Sequence, residues 1–89
     1  MAEGFLLYDE TEQTSTRYLG YAGEHGRYDV AIINTGHFFG KRLVISIQNG
    51  RSAILNDEDA ANIPYLMQAF DIRSEDEAAE FSELLLANL

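Results

Sequence analysis

The chain has 89 residues, 46% of them hydrophobic and ten aromatic, with a formal net charge of −9 and no cysteine. This describes one globular domain over residues 1–89 and excludes a disordered segment, a disulfide framework and a thiolate zinc site. The acidic balance opposes binding to nucleic acid or to an anionic membrane, both of which need clustered Lys and Arg.

The opening stretch, MAEGFLLYDE, lacks a basic leader, and its apolar run spans only Phe5 to Tyr8. No secretory signal is expected, no stretch approaches the ~20 apolar residues of a membrane span, and a cytoplasmic protein follows. FLLY (5–8) reads as a first short strand and ETEQTS (10–15) as a polar connection. TRYLGYA (16–22) is rich in β-formers, and YDVAIIN (28–34) carries apolar residues on both faces, as a central strand does. Between them lies GEHGRYD, where Gly23 and Gly26 are expected to supply positive φ in a solvent-facing turn.

RLVISIQ (42–48) alternates and RSAIL (51–55) follows, with Asn49-Gly50 between them. Asn-Gly predicts a two-residue type I′ turn. That register sets Gln48 opposite Arg51, Ser46 opposite Ala53 and Val44 opposite Leu55. Leu43, Ile45, Ile47 and Ile54 then form the more apolar face and are expected to be the core. Phe38 and Phe39 are adjacent, so in a strand reaching back to residue 37, with a bulge near Gly40, they would point to opposite faces.

The second half reads as helices. Asn56 can cap a turn begun by Asp57, Glu58 and Asp59. Pro64 starts a short helix through Phe70. Ser74 and Glu77 have capping-box spacing ahead of a final helix from about 75 to 88. Its apolar stripe is Ala78, Phe81, Leu84, Leu85 and Leu89. Residues 57–89 hold nine acids against Arg73 alone, so most of the net charge lies on this helical part. The fold class is α+β: roughly five strands in a mostly antiparallel meander, with two C-terminal helices on one face.

No catalytic signature emerges. The glycines at 20, 23 and 26 do not have dinucleotide spacing, TGHFFGK is not a phosphate loop, and no serine stands in a nucleophile elbow. His25 and His37 are the only histidines. With a carboxylate they could build a two-histidine metal site, provided their loops converge. No cofactor, metal or catalytic residue is therefore assigned.

The stretches FLLYDETEQTSTRYLGY, GEHGRYDVAII, FFGKRLVISIQ, RSAIL and DIRSEDEAAEFSELL together resemble a family of short acidic cytosolic proteins of Gram-positive bacteria, known only as a domain of unknown function. The resemblance covers nearly the whole chain and implies a small single domain with no assigned activity or site residues. The expected function is that of a small, non-enzymatic, cytoplasmic interaction or accessory protein that assembles as a homodimer, since a chain this short has little core and no staple. A further protein partner is compatible with this reading. Phe38, Phe39, Val44 and Leu55 are the candidate contacts, on the mixed sheet face that also carries Ala53. The alternative is a small-molecule or metal-binding domain, or a minor enzyme, built on the His25/Arg27 loop.

Overall fold

The computed structural model describes residues 3–89. Four strands form one antiparallel sheet in chain order: β1 (Ser15–Ala22), β2 (Arg27–Asn34), β3 (Arg42–Ser46) and β4 (Ser52–Leu55). Three helices follow: α1 (Asp57–Ala60), α2 (Ile63–Phe70) and α3 (Glu75–Asn88). A single 3-10 turn, Gly36–Phe38, links β2 to β3.

The α+β class and the antiparallel meander stand. Among the described residues the strand count is four, not five. FLLY is not a strand: Phe5, Leu6, Leu7 and Tyr8 pair with no strand, the chain bends at Leu7, and the four side chains are 74–82% exposed. The reason lies in the connection after it. Glu10 and Glu12 bind Thr35, Gly36 and His37 at the turn after β2, which commits this connection to the turn and not to a sheet edge.

The helix starts follow local chemistry. Asn56 and Asp59 make a full capping box, each side chain accepting the other residue's backbone N–H at 2.9 and 3.1 Å. This makes α1 a helix in its own right, so three helices cover the sheet, not two. The Asn62 side chain accepts the Tyr65 N–H with Pro64 in the first turn of α2, and Ser74 Oγ accepts the Glu77 N–H at the start of α3.

The turn between β3 and β4 is longer than a type I′ turn. Ser46 N–H donates to Arg51 O at 2.7 Å and Gly50 N–H to Ser46 O at 2.8 Å, leaving Ile47–Gly50 as the loop. Positive φ falls on Gly50 alone, at 73°. The Asn49 side chain is engaged elsewhere: Nδ2 donates to Phe70 O and Oδ1 accepts the Arg51 N–H. The pairing is therefore Val44 with Ala53 and Arg42 with Leu55, a slip of two residues from the expected register. A slip of two preserves which side chains share a face.

The identity of the core face is reversed. The helices cover Tyr28, Val30, Ile32, Val44 and Leu55, all 5% exposed or less, together with Leu66, Phe70, Phe81 and Leu85. Leu43 and Ile45 are only half-buried on the opposite face, while Ile47 and Ile54 are exposed. The aromatic centre explains the choice. Phe81 lies 5.0 Å from Phe70 in an edge-to-face pair and 5.5 Å from Tyr28, so the large rings on the helices and β2 fill the space above the smaller Val44, Ser46 and Ala53.

Candidate functional site

The glycine-rich hairpin between β1 and β2 is docked on α3. Gly23 N–H donates to Gly26 O at 2.8 Å, closing the turn. The Glu80 carboxylate then accepts the backbone N–H of Glu24 at 2.7 Å and that of His25 at 3.1 Å. The Tyr28 hydroxyl donates to the same carboxylate at 2.9 Å, with the Glu77 carbonyl 3.1 Å away. Neither glycine has positive φ. Their role is close approach: a Cβ at Gly23 would overlap the Glu80 carboxylate, and one at Gly26 would press on Glu77 and the Tyr28 hydroxyl.

Burial works against the charge on Glu80, but the bonds from Tyr28, His25 and Glu24 outweigh it and hold its pKa below the usual carboxylate value. Burial, with the neighbouring Glu80, pushes the Tyr28 phenol up. A phenol held protonated against a carboxylate held ionised is a stable hydrogen bond and a poor acid–base pair near neutrality. The arrangement is a structural latch. Since the folded Glu80 pKa lies below its unfolded value, the latch contributes stability above the ordinary glutamate range and loses it as pH falls through the depressed pKa. Glu80→Gln is expected to lower the melting temperature at pH 7 and to narrow its gap to the wild type at acid pH. A gap that does not depend on pH would reject the latch.

His25 itself is exposed and takes part through its backbone, as a turn residue does. Arg27 pairs with Asp29 at 3.1 Å on the strand surface. Below the hairpin a small cavity of about 130 Å³ opens between the sheet and α2–α3, lined by Arg27, Tyr28, Ser46, Asn49, Phe70 and Asp71 among others.

His37 lies at the far end of β2. Its eight-residue strand separates the two histidine loops by roughly 25 Å at ~3.4 Å per residue, so they do not converge into a metal site. His37 organises a second cluster. Its Nε2 lies 2.8 Å from Glu10 Oε2, and its Nδ1 faces Glu12. Glu12 also accepts the Gly36 N–H and the Thr35 hydroxyl, each at 2.8 Å. Glu10, then Glu12, raise the His37 pKa. The Gly36 N–H, then the Thr35 hydroxyl, lower that of Glu12.

Both shifts favour the charged pair. The histidine contribution is complete below the ordinary histidine pKa and fades as pH rises through the raised value. The glutamate contribution is complete above the ordinary glutamate pKa and fades on acidification. The segment bearing Phe5–Tyr8 is therefore expected to be held most tightly at mildly acidic pH and to loosen in alkali. NMR relaxation of the residue 5–12 amides across pH checks this. Equal mobility at both pH values, or in His37→Ala at mildly acidic pH, counts against it.

The four candidate contact residues are dispersed. Phe38 sits half-buried in the 3-10 turn, and Phe39 follows it with φ of 53° and a fully exposed ring. Neither belongs to a strand, because the chain turns through Phe39 and Gly40, both at positive φ, before β3 begins. Val44 and Leu55 are fully buried under the helices and reach no surface in this structure. The apolar surface lies on the other sheet face: Tyr18, Ile33, Leu43, Ile45, Ile47 and Ile54.

The stretches that carried the resemblance thus build the hairpin latch, the 3-10 cluster and the helical layer. A family model described as SAV0927-like matches residues 7–87. The chain belongs to the SAV0927-like family. That family is one of unknown function, as the resemblance implied. No curated protein matches the chain. Within this SAV0927-like domain, Glu80, Glu10 and Glu12 are the organising residues that the sequence pattern did not single out. The available signal was the pair Gly23 and Gly26 flanking His25, a spacing that close backbone approach can require as readily as a turn.

Proposed function

We propose that this SAV0927-like protein is a non-enzymatic, cytoplasmic interaction protein that acts as a homodimer. The observation that supports the reading is a sheet covered on one face only. Its other face presents Tyr18, Ile33, Leu43, Ile45, Ile47 and Ile54 without a covering element among the described residues. Large exposed apolar patches on small soluble domains mark contact surfaces. The exposed Phe5–Tyr8 segment adds apolar surface that the chain itself leaves uncovered.

Charge narrows the class of partner. The acids of residues 57–89 crowd the helical layer, which disfavours contact with phosphate backbones and favours association through the sheet. No helix among the described residues is long and apolar enough to cross a membrane. Light scattering coupled to size-exclusion chromatography at micromolar concentration tests the reading. A mass twice the 10.0 kDa of the chain is expected, and a mass near 10.0 kDa rejects the dimer.

A further inference from the structure

β1 is one edge of the sheet and runs for eight residues. It has none of the usual guards of an exposed edge. It contains no proline, and its one charged residue, Arg17, is drawn toward the helical side, where its guanidinium donates to Asn88 O at 2.9 Å and Asn88 Oδ1 at 3.1 Å. Of its side chains only Leu19 is partly buried. The opposite edge, β4, has four residues and is flanked by α1 and α2.

The ladder shows which backbone groups are free. Gly23 N–H bonds Gly26 O, and β1 pairs with β2 in the same register, Tyr21 with Tyr28 and Leu19 with Val30. Hydrogen-bonded and non-hydrogen-bonded pairs alternate in an antiparallel ladder. The odd-numbered residues of β1 therefore face β2. Thr16, Tyr18, Gly20 and Ala22 direct their N–H and C=O groups outward.

We infer that two copies join antiparallel along β1, making one continuous eight-stranded sheet with both helical layers on the same side. The inference rests on the homodimer reading but places the seam at the sheet edge, so the open apolar face runs on across both copies and stays uncovered. The strand is self-complementary about a two-fold axis at Leu19. In that register Thr16 lies opposite the partner's Ala22, and Tyr18 opposite the partner's Gly20. Both pairs use outward-facing groups, and all four positions of each strand find a partner. The Tyr18 ring, 75% exposed in the single chain, then covers a glycine across the seam, a pairing that offsets the lack of a side chain there. On the helical side Arg17 meets the Tyr21 ring of the other copy, a cation–π arrangement, and the two Leu19 side chains touch. Charge permits this edge: residues 15–22 carry no acid.

The register supplies its own test. Tyr18→Pro removes an outward N–H and leaves every β1–β2 bond intact, whereas Ile54→Lys alters the open face away from the seam. By size-exclusion light scattering, Tyr18→Pro is expected to weaken the dimer at least about tenfold with unchanged far-UV circular dichroism, while Ile54→Lys remains dimeric. Hydrogen exchange on the wild-type dimer is expected to show slow amides at Thr16, Tyr18, Gly20 and Ala22 that become fast on dilution to monomer. A wild-type dimer in which those four amides exchange freely overturns the β1 seam, even if the proline variant fails to fold. A dimer lost in Ile54→Lys and retained in Tyr18→Pro overturns the seam and leaves the homodimer reading standing. A wild-type monomer overturns both.

Discussion

Phe81→Ala is expected to lower the free energy of unfolding by about 3–5 kcal/mol. The ring is 2% exposed and sits where α2, α3 and β2 meet. Phe70 from α2 approaches it edge-on at 72°, and Tyr28 from β2 lies 5.5 Å away. Truncation removes both aromatic contacts and leaves a void bounded by a hydrogen-bonded sheet on one side and α2 on the other, neither of which can collapse into it freely. A small domain has only ~5–10 kcal/mol to lose, so the variant should be partly unfolded at ordinary temperature. Urea denaturation followed by circular dichroism measures the loss. Tyr28 leans on the same ring, so the hairpin latch at Glu80 should loosen with it, seen as faster exchange of the Glu24 and His25 amides. A loss below about 1 kcal/mol would mean that α3 is not seated on this sheet face.

The helical half of the fold is legible from sequence because its determinants are local. Asn56 with its acidic first turn, Pro64 in the opening turn of α2, and Ser74 ahead of Glu77 each act within four residues. Ser74 nonetheless makes only the forward half of the predicted box. The Glu77 side chain packs against Gly26 and does not return to the Ser74 N–H; the complete box is the one at Asn56 and Asp59.

The sheet was legible only in part, because its determinants are distant. The alternation of β3 and β4 sorts their side chains into the right two sets. Which set is buried depends on what the helices bring, and Leu43, Ile45 and Ile47 are the larger set. Bulk pointed to that face, yet Phe70, Phe81 and Tyr28 already supply the volume over Val44 and Ser46. FLLY has the composition of a strand and lacks a place in the sheet, since Glu10 and Glu12 commit the preceding chain to His37, Thr35 and Gly36, partners more than twenty residues away. The latch at Glu80 is likewise invisible to any local pattern, joining residues 55 and 56 positions apart.

The face assignment yields the sharpest contrast. Val44→Asp is expected to destabilise the protein by more than about 4 kcal/mol, and Ile54→Asp by no more than about 1 kcal/mol. The two positions belong to neighbouring strands and differ in the face they use. Val44 is wholly buried between Ile32 and Ala53 in the ladder, beneath the helical layer. A carboxylate there loses its water, and Lys41, the one lysine of the chain, is already paired with Asp59 at 3.1 Å. Ile54 is 37% exposed on the open face, where a carboxylate keeps its hydration. The pH dependence distinguishes desolvation from simple misfit. A buried aspartate has its folded pKa raised, so the unfolded state releases the proton more readily, and stability falls as pH rises above the ordinary aspartate value of ~3.9. Val44→Asp should therefore be less destabilised at pH ~4 than at pH ~7, while Ile54→Asp should track the wild type. The reverse ranking, with Ile54→Asp unfolded and Val44→Asp tolerated, would place the helices on the other face of the sheet.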